Sequence, residues 1–179
     1  MNDRIADRFA SARLTMRPAL VADAEALHEA YRDPLLMRWW SSAPQADLQT
    51  TRDYLAPREG RDWQNWAITL GDDDTAIGTL AAHPHRPRVW EIGYLLVRDH
   101  WGHGYAGEAV TALIDLLFGT AAARRVYADV DPDNARSLQL LERLGFRREG
   151  LLRAEWETHI GVRDSVILGL LADEWRVSS

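Results

Sequence analysis

A glycine-rich segment between a very apolar strand and a strongly amphipathic helix most constrains the fold of this chain of 179 residues. The segment covers residues 97–108 with the sequence VRDHWGHGYAGE, and it contains Gly102, Gly104 and Gly107. Glycine permits a positive φ and a close approach of the backbone to a ligand. The free N–H groups at the start of the helix that follows favour an anion. This junction therefore predicts a phosphate or pyrophosphate site that needs no lysine.

Hydrophobic periodicity on both sides of the junction predicts an α/β chain. Alternating or short apolar runs indicate strands, and apolar residues spaced by three and four indicate helices. The clearest helix, over 104–118, has an apolar stripe formed by Ala106, Ala109, Val110, Leu113, Ile114 and Leu117. Strands are predicted over 12–18, 63–70, 76–82, 89–97, 125–130, 146–156 and 163–171, and further helices over 21–32, 35–40, 45–56 and 134–144. This order predicts a mixed sheet with helices on its faces.

Composition limits both the chemistry and the surroundings that we expect. All 21 basic residues are Arg, and Lys and Cys are absent, so a Schiff-base lysine, a thiol nucleophile, a thiolate metal site and a disulfide are excluded. The net charge of −6 argues against nucleic-acid binding and favours cationic partners. No apolar run approaches the roughly 18 to 20 residues that span a membrane, and no apolar signal core opens the chain. We therefore expect a cytoplasmic protein.

Length and the lack of a linker predict one domain. A domain of this size buries roughly two-thirds of the surface of its unfolded chain, which is enough for one core. We expect residues 1–11 to be a loose lead-in and residues 12–179 to form the domain. Whether it is a monomer or a homodimer is left open.

Two motifs in register resemble those of the GNAT acetyltransferases. The loop Trp101-x-x-Gly104-x-Ala106 resembles the first motif of that family, [QR]xxGx[GA]. The second motif, NxxAxxxYxxxGF, is matched by Asn134, Ser137, Leu141, Gly145 and Phe146. With EIGY at 91–94, the opening RLTMRP and the closing LLADEW, the resemblance covers roughly residues 12–175 and is closest to the RimJ/RimL-type subgroup.

This resemblance implies a mostly antiparallel central sheet with flanking helices, the GNAT fold. It also implies an N-acetyltransferase that moves an acetyl group from acetyl-CoA directly to an amine, which is a protein N-terminus or a small molecule. No metal is expected. A non-catalytic acyl-CoA-binding module on the same scaffold is the alternative that Leu141 keeps open. Leu141 occupies the position at which many members of the family carry a tyrosine general acid, so another group must donate the proton.

The resemblance also implies which residues meet coenzyme A. Trp101 replaces the Gln or Arg of the first motif, which is usual in the RimJ/RimL-type subgroup. A backbone N–H near Leu96 is the expected donor to the oxyanion. The residues expected to bind the cofactor are Leu95, Leu96, Val97, Gly102, His103, Gly104, Tyr105, Ala106, Gly107, Asn134 and Ser137.

Three residues are candidates for the proton transfers and for positioning. Glu91 is expected to be the general base, acting through water, because apolar neighbours raise the pKa of a carboxyl group. Ser137 is the candidate acid or thiolate hydrogen-bond donor, and it lies one helical turn after Asn134. Alternatively, Glu91 pairs with an arginine and Asn134 only caps its helix. Tyr94 is interpreted equally well as a core residue or a cofactor contact.

Other features receive weaker interpretations. Gly102, Gly104 and Gly107 also spell the GxGxxG dinucleotide fingerprint, but Arg98 to Trp101 separate them from the strand and the motif lies past the middle of the chain. A dinucleotide-binding oxidoreductase is therefore the less favoured alternative. Trp39 and Trp40 are candidates for the wall of an acceptor groove. The histidines are predicted to be surface residues without a metal, and these are His83, His85, His100 and His103.

Overall fold

A computed structural model describes residues 5–57 and 62–175 of the chain. The strands in these ranges are β1 (Phe9–Ala10), β2 (Leu14–Pro18), β3 (Gln64–Leu70), β4 (Asp73–Arg86), β5 (Val89–Leu96), β6 (Arg125–Val130), β7 (Arg147–Thr158) and β8 (Gly161–Leu171). The helices are α1 (Ala24–Arg32), α2 (Pro34–Met37), α3 (Leu48–Leu55), α4 (Tyr105–Gly119), α5 (Ala135–Arg143) and α6 (Ala172–Trp175). Single 3₁₀ turns precede α1 (Val21–Asp23) and follow β5 (Arg98–His100).

All of these strands form one sheet with the order β1-β2-β3-β4-β5-β6-β8-β7. Neighbouring strands are antiparallel except β5 and β6, which are joined through α4 and run parallel. The predicted fold class, a mixed and mostly antiparallel sheet with flanking helices, is confirmed. A doubly wound dinucleotide domain requires a mostly parallel sheet, so the described sheet contradicts that alternative.

Helices cover both faces of the sheet, and each face has its own apolar core. The larger core lies under α4 and α5, and the stripe predicted for α4 is buried there from Ala109 to Leu117. The smaller core lies under α1 and α2 on the opposite face, where Leu27 and Met37 pack with Leu95 of β5. Side chains alternate across a strand, so β5 contributes to both cores. Among the described helices, none combines the length and apolarity that crossing a bilayer needs.

Some element boundaries differ from the prediction. Strand β4 was expected to end at residue 82 but continues through Pro84 to Arg86. Pro84 is opposite Trp90 at a non-hydrogen-bonded position, and the described pairing of β4 with β3 ends at Ala82, so the missing N–H of Pro84 breaks no ladder bond. The helix expected over 35–40 is a single turn. The expected loose lead-in contains β1, whose Phe9 packs edge-on against Trp66 at 5.6 Å. Residues 1–4 lie outside the described residues.

Helix α5 begins and ends as its sequence predicts. The Asn134 side-chain oxygen accepts a hydrogen bond from the Ser137 N–H at 3.3 Å, which caps the start of the helix. Gly145 follows the helix with φ of 91°, a left-handed conformation that favours glycine. Phe146 then turns back into the larger core, and its N–H donates to the Leu141 carbonyl at 3.0 Å. These contacts fix α5 beside the end of β5.

Candidate active site

The central feature of the site is a split between β5 and β6. The two strands pair only from Val89 to Glu91 and from Arg125 to Tyr127, although both continue further along the sheet. Beyond these residues a cavity of about 1560 Å³ opens between them. It is lined by both strands, the glycine-rich turn, α5, and the α1–α3 side of the molecule. The split therefore creates a groove that passes through the sheet.

The edge of β5 that faces this split carries polar main-chain groups. Leu96 is opposite Gly78 of β4, and the next bond runs from the Val97 N–H to the Ile77 carbonyl at 2.9 Å. In an antiparallel ladder this pattern turns the N–H and C=O of Leu96 away from β4 and toward the split. By alternation, the main-chain N–H and C=O groups of Ile92 and Tyr94 also face the split. This edge can pair with an extended amide-containing chain.

The glycine-rich turn closes one end of the cavity. Gly102 and Gly104 have φ of 82° and 80°, a conformation that disfavours other residues. Within residues 5–57 and 62–175, no side chain caps the start of α4, so the first N–H groups of that helix can bind an anion. The Glu108 carboxylate fixes the turn by accepting hydrogen bonds from the Arg13 main chain and from the Ser11 hydroxyl, at 2.8 and 2.6 Å. The turn therefore has the geometry that an anion site requires, and anion binding there stays a prediction.

Glu91 lies where β5 and β6 begin to separate. Its carboxylate accepts a hydrogen bond from the Tyr127 hydroxyl at 2.9 Å, and His83 is its partner residue on β4. Burial raises the pKa of the Glu91 carboxyl above its ordinary value of 4.5, the hydrogen bond from Tyr127 opposes this, and the Asp129 charge adds to it. Within the described residues Glu91 forms no ion pair with an arginine. A half-buried carboxylate with a raised pKa suits a general base.

Two hydroxyl groups meet across the cavity. The Tyr94 hydroxyl on β5 lies 2.6 Å from the Ser137 hydroxyl on α5, so the two are hydrogen-bonded. Burial raises the pKa of the Tyr94 phenol to about 12, and the hydrogen bond to Ser137 opposes this shift. Tyr94 therefore stays protonated at neutral pH. Leu141, at the position of the family's usual tyrosine acid, is fully buried in the larger core.

Charge is divided between the two ends of the cavity. Arg136 of α5 lies over the ring of Trp101 in the glycine-rich turn, and Arg143 of the same helix also lines the cavity. On the side of β6, the charge of Asp129 acts on Glu91, whereas Asp131 is paired with Arg163, which also lines the cavity. This division favours an anionic ligand at one end and a cationic ligand at the other.

Most of the predicted site residues line this one cavity. Those that do so are Trp39, Trp40, Glu91, Leu95, Leu96, Gly102, Gly104, Tyr105, Ala106, Gly107, Asn134 and Ser137. Two predicted cofactor contacts do not line it. The N–H of Val97 is already bonded to β4, and the exposed ring of His103 stacks on Tyr105 at 5.4 Å.

Two of the histidines that were predicted to be surface residues are only partly exposed, His83 and His100. His83 is half-buried, and its ring stacks on Trp63 with ring centres 5.3 Å apart, whereas His85 is exposed as expected. The Nδ1 atom of His83 is buried and has no hydrogen-bond partner among the described residues. In the described part of the chain, no three histidine or carboxylate side chains are grouped closely enough to hold a metal ion.

Sequence reasoning missed the residues that support the site from neighbouring elements. Tyr127 became visible only when the register of β6 against β5 was known. Arg136 had no motif to mark it, although an arginine near a predicted anion site is a general signal. For Tyr94, the EIGY match gave the strand but not the hydroxyl contact.

Comparison with known proteins is consistent with this geometry. A family model described as an acetyltransferase (GNAT) domain matches residues 13–147. The uncharacterized N-acetyltransferase p20 of Bacillus licheniformis is 34% identical over 171 residues, which cover 91% of this chain and 95% of that protein. The [ribosomal protein uS5]-alanine N-acetyltransferase of Escherichia coli (strain K12) is 34% identical over 90 residues, 47% of this chain and 43% of that protein.

One solved structure shows the same fold with ligands bound. The crystal structure of spermidine N-acetyltransferase from Vibrio cholerae, in complex with CoA and spermine, aligns with a TM-score of 0.77. The alignment covers 91% of this chain and 98% of that one, at 19% sequence identity. At that identity the similarity shows the shared fold.

Proposed function

The chain belongs to the GNAT acetyltransferase family and is an N-acetyltransferase, and from this premise we propose that it transfers an acetyl group from acetyl-CoA directly to an amine within a ternary complex. The observation that supports this most is the split between β5 and β6. One cavity brings together an unpaired strand edge, a glycine-rich helix start and a half-buried carboxylate at Glu91.

The chain's own groups fit acetyl-CoA along this cavity. The N–H groups at the start of α4 and the nearby arginines suit the pyrophosphate and phosphate charges. The main-chain groups of Ile92 and Tyr94 suit the amides of the pantetheine arm, which then lies as an added strand beside β5. The N–H of Leu96 suits the thioester oxygen. Asn134 is used as the helix cap, and its amide N–H₂ group stays available for a pantetheine carbonyl.

The transfer requires proton movements but no covalent acetyl-enzyme, since Cys and Lys are absent. Glu91 accepts a proton from the acceptor ammonium, directly or through water, and the free amine attacks the thioester carbon. The Leu96 N–H stabilises the negative charge that develops on the oxygen. When the carbon–sulfur bond breaks, the hydroxyl pair of Tyr94 and Ser137 donates a proton to the thiolate and regains one from the nitrogen of the new amide, directly or through water. A tyrosine is the stronger acid of the two, so Tyr94 replaces the family's missing tyrosine.

The acceptor belongs at the acidic end of the cavity. Asp129 lies near Glu91 there, and aromatic rings from Trp39, Trp40 and Trp63 border the same cavity. Carboxylates and aromatic faces both attract ammonium groups. We therefore propose a cationic primary amine as acceptor, either a small amine or a protein N-terminus in the manner of the RimJ/RimL-type subgroup.

A turnover assay tests this proposal. The chain is mixed with acetyl-CoA and one acceptor at a time, chosen from polyamines, amino acids and short peptides with a free N-terminus. Free coenzyme A is measured with a thiol reagent, to which a chain without Cys adds no background. We expect turnover with a cationic amine, and the product's mass identifies the acetylated group. Binding of acetyl-CoA without turnover on any amine would instead favour the non-catalytic acyl-CoA-binding module.

A further inference from the structure

Trp101 is the feature of the glycine-rich turn that the proposed reaction does not yet use. Its indole N–H donates a hydrogen bond to the Leu96 carbonyl at 2.8 Å. That carbonyl is on the split side of β5, where no neighbouring strand satisfies it. Trp101 therefore supplies, from within the turn, the hydrogen bond that a paired strand would otherwise provide.

The hydrogen bond from Trp101 restricts the N–H of Leu96 as well as its carbonyl group. In a strand the N–H and C=O of one residue point to the same side, so the Leu96 N–H is also directed into the split. The last anchor to β4 is the bond from the Val97 N–H to the Ile77 carbonyl. A bond on each side of the strand holds the backbone dihedral angles of Leu96. The direction of its N–H is thereby set.

The indole ring is itself held in place. The guanidinium groups of Arg98 and Arg136 lie over it, 4.8 and 4.7 Å from its centre, at a typical cation–π distance. Arg98 is bound in turn by the Asp33 carboxylate, with its Nε 2.9 Å from the nearer oxygen. Trp101 also packs against both apolar cores. Its contacts therefore connect α2, β5 and α5 around one ring.

We infer that Trp101 is a positioning residue, which holds the Leu96 N–H in the direction that the thioester oxygen requires. This inference rests on the proposed function, since the N–H acts only on a bound thioester. It also gives a physical role to the tryptophan that stands in the first motif where much of the family has Gln or Arg. A Trp side chain presents a donor on a rigid ring, so little conformational freedom is lost when the bond forms.

The test is Trp101→Phe, which removes the N–H and keeps an aromatic ring for the two guanidinium groups. Loss of a whole oxyanion donor lowers kcat by about a hundredfold to a thousandfold. Because the Leu96 N–H is retained but loosened, we expect kcat to fall about tenfold. The KM for acetyl-CoA should stay within about threefold, since the anion site is untouched.

The matched control is Trp175→Phe. The Trp175 indole donates to Asp115 at 2.7 Å, away from the cavity, so the control loses the same kind of bond. A spectroscopic measurement separates positioning from a general effect on folding. The infrared band of acetyl-CoA with a ¹³C-labelled carbonyl should shift to lower frequency when bound to the parent chain. In Trp101→Phe it should return toward the value of free acetyl-CoA.

The outcomes distinguish this inference from the proposed function. If the parent chain has no turnover with any amine, the proposed function fails. If the parent turns over and Trp101→Phe matches Trp175→Phe in kcat and in the carbonyl band, the positioning role is overturned. A rise in KM with unchanged kcat also overturns it. Should Trp101→Phe not fold, Arg98→Gln loosens the ring with the N–H retained, and a threefold loss of kcat at constant KM is expected.

Discussion

At the scale of single residues, the proposed reaction depends on how the surroundings of Glu91 set the protonation of its carboxyl group. Burial favours the neutral form, and the nearby Asp129 does the same, whereas Tyr127 donates to the charged form. Among the described hydrogen bonds, none involves the other carboxylate oxygen of Glu91. This oxygen is the one that could accept a proton from an acceptor or from a water molecule.

We expect the acid limb of the pH profile of kcat/KM to report Glu91. The active form is the carboxylate, and its pKa is raised above 4.5, so activity should increase with pH through an apparent pKa above that value. Glu91→Gln should remove this limb and lower kcat about a hundredfold or more at neutral pH. Steady-state rates measured over a range of pH check both statements.

The control for this substitution is Glu157→Gln, which changes an exposed carboxylate at the end of β7. It should leave the rate and the pH profile as they are. An unchanged acid limb in Glu91→Gln would show that another group is the base, and Glu91 would then only organise Tyr127.

At the scale of elements, the site is made where β5 meets α5. Neither element alone offers a complete proton donor to the leaving thiolate. The hydroxyls of Tyr94 and Ser137 come from the two elements and meet at 2.6 Å. The helix cap at Asn134 places the first turn of α5, and the parallel start of β5 and β6 places the strand. Their hydrogen bond is therefore a sensitive measure of the distance between strand and helix.

A double-mutant cycle tests whether these hydroxyls act as one unit. We expect Tyr94→Phe and Ser137→Ala each to lower kcat about tenfold. Together they should cost little more than the larger single effect, because removal of either breaks the same bond. Rates of the two single variants and the double variant measure the coupling, and thermal melts show whether all three are folded. Independent, multiplying effects would mean that only one hydroxyl reaches the thiolate.

Local sequence patterns predicted the elements that carry their own signals. The stripe of α4 and the cap and stop of α5 were predicted because helix periodicity, an Asn cap and a terminal glycine are local properties. The glycine-rich turn was recognised for the same reason. The extent of β4 was not, since proline normally ends a strand and only the register of β4 against its neighbours shows that Pro84 lies where no ladder N–H is needed.

Contacts between distant segments were outside the reach of local patterns. Tyr127 is opposite Glu91 only because β6 joins β5 in parallel across the α4 connection. The bond from Trp101 to Leu96 spans five positions, yet it depends on the direction of the free strand edge. The split itself leaves no pattern in either strand, since both remain apolar on the core side. Roles that depend on tertiary pairing therefore needed the structure.

At the scale of the whole molecule, the division of charge along the cavity sets how two substrates share it. The net charge is −6, yet arginines of α5 border the end beside the glycine-rich turn. In the proposed reaction the anionic donor binds there and leaves the side of Glu91 and Asp129 open for a cationic amine. Acetyl-CoA alone should therefore bind well and stabilise the fold without an acceptor.

A thermal melt measures this stabilisation. At a concentration 100 times its dissociation constant, a ligand that binds only the folded chain adds about 2.7 kcal/mol to the free energy of unfolding. For a chain of this size the midpoint should rise by roughly 5 to 11 °C with acetyl-CoA. NADH should have no comparable effect, because the described sheet offers no doubly wound dinucleotide site.

Arg136→Gln should reduce the rise in the midpoint with acetyl-CoA, whereas Arg153→Gln, on the exposed strand β7, should not. Equal shifts with both nucleotides would mean that the turn binds phosphates without selecting the pantetheine arm, and the unpaired edge of β5 would lose its proposed role.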